Sequence, residues 1–307
     1  MKTVLVTGGK GFIGGALVEA LIKRGDDVVV IDNQSSEGVD YHINAKAKYY
    51  EEDVANLQFF AQLFTDYRRF DLVYHLAAVS SIKDSFEKPA LTFLDNGLGT
   101  SNVLEFCRFS RPHKMVFTST AAVYGTAAKI PFKEADDSDH LLNPYSLSKY
   151  QGEELCRLYH ELFQIEPVAL RLFNVYGPRA SSESVIPRFL KQKALGEPLT
   201  LYGLGEDTRD YIHVEDVVQA LLLAGESGIS TSGQVLNVGS GKEHSVKDLA
   251  QMIDPDGERG VGPTRSRECK NVRADISKIK KELGWKPKIK LESYIEKELK
   301  RLTKDQS

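Results

Sequence analysis

The chain is 307 residues long, 41% hydrophobic and 27% charged, with a formal net charge of −3. These values fit a soluble globular protein whose core suffices for one large or two smaller domains, and they give no reason to expect nucleic acid or a membrane surface as a partner. No apolar run reaches membrane-spanning length, the first residues read as a strand rather than a signal peptide, and three widely spaced cysteines suit reduced thiols in a cytoplasm.

Val4, Leu5 and Val6 form a short apolar run of the kind seen in buried parallel strands. A glycine cluster follows, then helical periodicity over 16–23. Gly8, Gly11 and Gly14 fit G-x-x-G-x-x-G, and Gly9, Gly11 and Gly14 fit G-x-G-x-x-G. Either pattern gives a tight turn, close approach of backbone to a pyrophosphate, and an anion seat at the helix N-terminus. A second strand, Asp27–Ile31, ends at Asp32, about 20 residues past the glycines, where an acid hydrogen-bonds the adenosine ribose. A carboxylate there favours NAD over NADP, because it repels a 2′-phosphate.

The alternation continues. Strands are predicted over 48–51, 71–76, 114–118 and Pro167–Leu172, and helices over 57–67, 89–109 and 145–163. Strands spaced by helices mean right-handed crossovers and a parallel doubly wound sheet, an α/β protein of the Rossmann class. After residue 172 Gly, Pro and Ser become dense. A helix over 185–195, a strand Leu199–Tyr202, a polar turn at 210–213, a helix over 214–224 and a strand Gln234–Val238 follow. Short helices over Val246–Ile253 and 276–283 and a basic C-terminal helix complete the chain. We therefore expect an NAD-binding domain over 1–172, joined by elements returning from about 207–240. A smaller mixed α/β lobe over 173–307 is expected mainly to bind substrate. The Lys-rich stretch 297–304 reads as a solvated helix face. The seven histidines form no metal-binding spacing, so no metal is expected.

The loop after the fifth strand holds Ser119 and Thr120. Ligands of doubly wound sheets lie beyond the carboxyl ends of strands, so both should stand near the cofactor. Further on, Tyr145 and Lys149 are four apart and share one helix face. An ammonium beside a phenol favours phenolate, and such a Tyr can act as general base and acid on a sugar hydroxyl, with Thr120 completing the relay. Tyr-x-x-x-Lys also occurs by chance. Its position after a Ser/Thr-rich strand end, behind a nucleotide fingerprint, favours the catalytic reading.

Further motifs lie along the chain: Asp53-Val54, His75-Leu-Ala-Ala78, Asn96 with Gly99-Thr100, Leu170-Arg-Leu-Phe-Asn-Val-Tyr-Gly-Pro-Arg179, Thr208-Arg-Asp-Tyr-Ile-His-Val-Glu-Asp216, and Ala274-Asp-Ile-Ser-Lys with Leu283-Gly-Trp285. With the glycine cluster and the Tyr145–Lys149 pair, they make the sequence resemble the extended short-chain dehydrogenase/reductases over nearly its whole length. Nucleotide-sugar epimerases of the UDP-galactose 4-epimerase type are the most similar.

The resemblance implies that Gly8, Gly11, Phe12, Ile13 and Gly14, with Asp32 and Asn33, hold the NAD pyrophosphate and ribose. It makes Asp53 and Val54 adenine contacts and places Leu76, Ala77, Ala78, Asn96 and Ser119 along the cofactor. Lys149 would bond the nicotinamide ribose beside Tyr145. Asn174, Arg209 and Arg265 would hold the sugar-nucleotide diphosphate, Glu268 the uridine ribose, and Val185 belongs to the uracil-binding stretch. There are departures. Arg265-Ser-Arg-Glu268 replaces the usual Arg-x-Gly-Asp, Ser184 stands where many relatives have Asn, and Ser80-Ser81 occupy a position where some carry Lys.

By the same resemblance, 4,6-dehydratases carry an Asp-Glu pair after the Thr, and decarboxylases a Glu near it. Here Ala121-Ala122 offer only methyl groups, which transfer no protons. What remains is 4-epimerisation, with NAD regenerated in each cycle. Val272 stands where a large aromatic restricts relatives to unsubstituted hexoses. The resemblance thus implies turnover of UDP-glucose and UDP-galactose, and of UDP-GlcNAc and UDP-GalNAc, by an isomerase acting as a homodimer. A UDP-glucuronate 4-epimerase or another oxidoreductase or dehydratase on this scaffold stays open, as does a non-catalytic NAD-binding regulator.

Overall fold

The computed structural model of the chain describes residues 1–35, 43–126, 129–136, 141–263 and 269–305. The apolar runs form β1 (Thr3–Thr7), β2 (Asp27–Ile31), β3 (Lys48–Tyr50), β4 (Leu72–His75), β5 (Lys114–Thr120) and β6 (Pro167–Leu172). Beyond them come β7 (Asn174–Tyr176), β8 (Leu199–Tyr202), β9 (Thr208–Arg209), β10 (Tyr211–His213), β11 (Gln234–Val238), β12 (His244–Ser245) and β13 (Arg259–Gly262). A seven-stranded sheet runs in the order β11-β6-β5-β4-β1-β2-β3, with every pairing parallel. The remaining strands form the two-stranded ribbons β7–β10, β8–β13 and β9–β12.

The helices are α1 (Phe12–Arg24), α2 (Leu57–Asp66), α3 (Ile82–Glu87), α4 (Pro89–Phe93), α5 (Gly99–Ser110), α6 (Pro144–Phe163), α7 (Val185–Ala194), α8 (Val214–Gly225), α9 (Val246–Ile253), α10 (Ser277–Leu283) and α11 (Leu291–Asp305). They cover both sheet faces, and the period-two alternation of a strand sorts the core between them. Val4 and Val6 of β1 pack with Leu17 and Leu21 of α1 and Val217 and Leu221 of α8. Leu5 between them packs on the opposite face with Phe60 of α2, Leu104 of α5 and Cys156 of α6. Burial on both faces is why these strands read as continuous apolar runs. A separate core joins Phe189 of α7, Leu249 of α9 and Ile295 of α11.

Two sequence expectations need correction. The single helix expected over 89–109 is α4 and α5 separated by a π-helical turn, Leu94–Leu98, with α3 as a further short helix before them. The widened turn carries Asn96, whose side chain reaches out of the helix to the backbone of Val79. The polar turn expected at 210–213 is instead a buried strand, β10, parallel to β7. Asp210 before it is fully buried, because its carboxylate accepts hydrogen bonds from Ser240 N–H and O–H, Gly241 N–H and Ala274 N–H. A buried carboxylate needs such partners, and here tertiary neighbours supply them.

Candidate active site

The strand order reverses between β1 and β4, the switch point at which open α/β sheets bind ligands. The loop after β1 shapes that crevice. Gly8 has φ +70°, and a Cβ there would stand 2.7 Å from Ala77 N; a Cβ on Gly14 would stand 2.0 Å from Gly8 O. No side chain but hydrogen therefore fits either position. Gly11 caps α1 with no side-chain hydrogen bond, so the first N–H groups of the helix are left for a ligand. At the end of β2, the Asp32 carboxylate accepts from Lys10 N–H at 2.9 Å and Gln34 N–H at 2.9 Å. Asn33 donates to Asp53 Oδ2 at 2.8 Å.

One cleft is lined by Gly8, Gly11, Phe12, Ile13, Gly14, Asp32, Asn33, Asp53, Val54, Leu76, Ala77, Ala78, Ser119, Thr120, Tyr145 and Lys149. The glycine cradle, a bare helix N-terminus and an acid at the end of β2 fit a dinucleotide in this cleft. Asn96 is buried behind the wall. It accepts from Val79 N–H, donates to Val79 O and Ser148 Oγ, and so fixes the segment after β4 that forms the wall. His75 sits below it, hydrogen-bonded to Thr7 Oγ1 at 2.7 Å and Thr100 Oγ1 at 3.0 Å. Burial, helped by the nearby Lys149 ammonium, pushes its pKa down to about 3, so the ring is neutral at physiological pH.

Across the cleft, α6 starts with a capping box between Asn143 and Ser146, which places Tyr145 in its first turn. The Thr120 hydroxyl, at the end of β5, is hydrogen-bonded to the Tyr145 phenol. Lys149 is buried, donates to Thr118 O at 2.8 Å, and lies 4.9 Å from the centre of the Phe117 ring. Burial lowers its pKa to about 7 against the opposing charge of Glu153. The direct lysine effect on the phenol expected from the spacing is replaced by a different balance. Burial raises the Tyr145 pKa and the Thr120 hydrogen bond lowers it, while the ammonium is aimed at the Thr118 carbonyl.

Other expected residues stand apart from the cleft wall. Ser81 caps α3 by accepting from Asp84 N–H, and Ser80 lines the cleft beside it. Val185 opens α7, while its neighbour Ser184 lines the cleft. Asn174 is exposed on β7, with its N–H bonded to Asp210 O. Arg209 donates to the carbonyls of Thr208 and Lys270. Val272 is buried with Ala121, Val123, Phe132 and Phe173. Arg265 and Glu268 lie outside the described residues. Sequence reasoning missed Phe173 and Ser181 on the cleft wall, and the buried Glu153–Arg171 pair behind Ser119. The one available signal for Glu153 is its i+4 spacing from Lys149.

A family model described as the NAD dependent epimerase/dehydratase family matches residues 4–239. The UDP-glucose 4-epimerase of Thermotoga maritima, solved with UDP-glucose, is 33% identical with a TM-score of 0.92, covering 99% of this chain and 100% of its own. The UDP-N-acetylglucosamine 4-epimerase of Methanobrevibacter ruminantium M1, solved with UDP-N-acetylmuramic acid, is 31% identical with a TM-score of 0.88, covering 100% and 99%. The UDP-glucuronic acid 4-epimerase of Bacillus cereus, solved with UDP-glucuronic acid and NAD, is 30% identical with a TM-score of 0.87, covering 98% and 99%. On this evidence of sequence, fold and cleft, the chain belongs to the NAD-dependent epimerase/dehydratase family, as an enzyme of the nucleotide-sugar 4-epimerase kind with NAD as its cofactor.

Proposed function

We propose that the enzyme interconverts UDP-glucose and UDP-galactose, and that it also turns over UDP-GlcNAc and UDP-GalNAc. The observation that carries this reading is that the described residues lining the reacting end of the cleft include no extra acid. The carboxylates among its described lining residues are Asp32, Glu52, Asp53 and Asp95. Asn33 bonds Asp53 beside Asp32, and the charge of Asp53 acts on Asp95, so these acids gather at the β2 end. At the other end, Thr120 is followed by Ala121 and Ala122. Lys149 is the one cation among the described lining residues, and it is engaged with Thr118 O, so those residues offer no other cation to a uronate carboxylate. Small Val272, packed behind the cleft-wall residue Phe173, is the position we take to admit an N-acetyl group.

In this reading the first N–H groups of α1 hold the NAD pyrophosphate. Asp32 and Asn33 hold the adenosine ribose, and Asp53 and Val54 the adenine. Leu76, Ala77, Ala78, Ser119 and Lys149 flank the rest, with Asn96 positioning the wall. Bound NAD supplies a reversible hydride acceptor for C4, restored within each turnover, so no external redox partner is needed. Tyr145 removes the 4-OH proton and returns it. The Thr120 hydroxyl, bonded to the phenol oxygen, stabilises the phenolate and relays the proton. Asn174, Arg209, Arg265, Glu268, Val185 and Ser81 belong to the sugar-nucleotide side, all but Ser81 in the 173–307 part of the chain, whose elements from about 207–240 return to the 1–172 nucleotide domain.

A homodimer is part of the same proposal. Leu91, Leu94 and Leu98 on the α4–α5 arm and Leu147, Leu158 and Leu162 on α6 are exposed, more apolar surface than one core face needs. The free thiols of Cys107, Cys156 and Cys269 support a reducing, cytoplasmic setting.

The test incubates purified protein, without added NAD, with UDP-glucose, UDP-GlcNAc and UDP-glucuronate, and resolves the epimers by NMR. Turnover of the first two is expected, and turnover of UDP-glucuronate alone overturns the substrate assignment. Tyr145→Phe should lower kcat by about 10³-fold. Undiminished activity in that variant overturns the mechanism.

A further inference from the structure

Glu153 lies on α6 one turn beyond Lys149 and two turns beyond Tyr145, on the same face of the helix. It is 3% exposed. Its Oε1 accepts from Ser119 Oγ and from Arg171 Nε at 2.9 Å, and its Oε2 accepts from Arg171 Nη2 at 2.8 Å. Ser119 and Arg171 are register partners on β5 and β6. Three side chains of α6 therefore reach three consecutive residues of β5. Tyr145 meets the Thr120 hydroxyl, Lys149 the Thr118 carbonyl, and Glu153 the Ser119 hydroxyl between them.

The pair also supports the turn that follows Thr120. The Arg171 guanidinium lies 4.6 Å from the centre of the Tyr124 ring, and Tyr124 donates to Asn237 Oδ1 at 2.6 Å. Tyr124 ends the 3-10 turn Ala121–Tyr124, whose first N–H groups face the Thr120 side chain: Ala122 N–H donates to Thr120 Oγ1 at 3.2 Å. Moving Arg171 thus moves the turn, and the turn carries the Thr120 hydroxyl. A bidentate guanidinium–carboxylate pair is rigid enough for that task.

We propose that Glu153 is a positioning residue for the reaction: its buried carboxylate holds Ser119 and Arg171 so that Thr120 stays against Tyr145 and an anion stays beside Lys149. This rests on the reading of Thr120, Tyr145 and Lys149 as the reacting machinery. Among the described groups acting on Lys149, His75 and Cys156 are neutral at physiological pH, the thiol because burial raises its pKa, so Glu153 is the anion there. Tyr145 on the same face is a neutral phenol at rest, its pKa raised by burial. Loss of the Glu153 charge therefore lets Lys149 lose its proton at lower pH, and the unpaired Arg171 pushes in the same direction.

The test compares the NAD-loaded parent enzyme with Glu153→Gln, Glu153→Asp and Ser119→Ala. In Glu153→Gln, kcat should fall about 100-fold with KM nearly unchanged, since displacement of a reacting group by about 1 Å has that effect. Its alkaline limb should also move to lower pH. Glu153→Asp keeps the charge but is one methylene short; it should restore the limb while kcat stays low. Ser119→Ala keeps the ion pair and carries the test if Glu153→Gln does not fold; its kcat should fall about 10-fold without a change in the limb. An NMR titration of Lys149 in 13Cε-lysine-labelled protein reads the same charge without any sugar, so a wrong substrate and a wrong role for Glu153 give different results. Parent-like kcat in Ser119→Ala, or a loss of melting temperature alone in Glu153→Gln with an unmoved Lys149 titration, overturns the proposal.

Discussion

At the β1–α1 end of the cleft, the candidate binding groups belong to the main chain. Gly8 and Gly14 are packed so closely against Ala77 N and Gly8 O that no Cβ fits, and the free N–H groups of α1 follow within a few residues. At the sugar end, the candidate groups are side chains from segments far apart in sequence: Thr120, Phe173, Ser184, Arg209 and Val272. Each depends on neighbours that only folding supplies, as Val272 depends on Phe132 and Phe173. A site built from backbone tolerates almost no change in residue size. A site built from side chains can change its ligand by one substitution while the scaffold stays the same. Three relatives with this fold are solved with three different UDP-sugars.

The largest effect is expected from Gly14→Ala. Its Cβ would meet Gly8 O at 2.0 Å, so the loop must move, and loss of bound NAD together with a destabilisation of about 1–3 kcal/mol is expected. Gly11→Ala sharpens the contrast. Its Cβ meets nothing closer than 3.5 Å, so the fold should melt within a few degrees of the parent while NAD affinity falls. Equal melting temperatures for both variants, measured by calorimetry with cofactor content by absorbance, would break the contrast.

His75 gives the next effect, on pH dependence. Burial pushes its pKa down to about 3 in the folded chain, from the 6.5 of an ordinary imidazole. Between those values the unfolded chain binds more protons, so stability rises with pH through the window. The contribution is complete above pH 6.5 and is lost as pH falls toward 3. In urea titrations at pH 7.5 and 5, His75→Gln should flatten the slope while keeping polar contacts to Thr7 and Thr100. An unchanged slope would mean that His75 does not govern it.

The smallest effect belongs to the sugar end. Val272→Tyr should lower kcat/KM for UDP-GlcNAc about 10-fold or more and leave UDP-glucose nearly unchanged, since the added ring crowds Phe173 on the cleft wall. Equal losses for both sugars would show that Val272 acts on folding and not on substrate choice.

Much of the sheet was legible because its signals are local. The apolar runs at β2, β6, β8 and β11 coincide with the observed strands, and α9 with its predicted bounds. The glycine loop, Asp32 and the placement of Tyr145 and Lys149 on one helix follow from spacing of a few residues. Other features were not legible for the opposite reason. The π turn at Leu94–Leu98 exists because Asn96 must reach Val79, which lies across the cleft wall. The strand β10 replaces a polar turn because Asp210 finds donors at Ser240, Gly241 and Ala274. No window of sequence around residue 210 contains those partners.

The amino-acid order alone determined the class of fold, the nucleotide cradle and the identity of the Tyr145–Lys149 pair, since a period of two, a period of 3.6 and a glycine spacing are properties of neighbouring residues. Tertiary structure decided which group each of those side chains meets. The Lys149 ammonium turns to Thr118 O, the Tyr145 phenol to Thr120, and Glu153 joins Ser119 to Arg171. These choices arise where α6 lies against the ends of β5 and β6. Burial there strips water from charged groups and leaves each to the nearest partner the packed strands present.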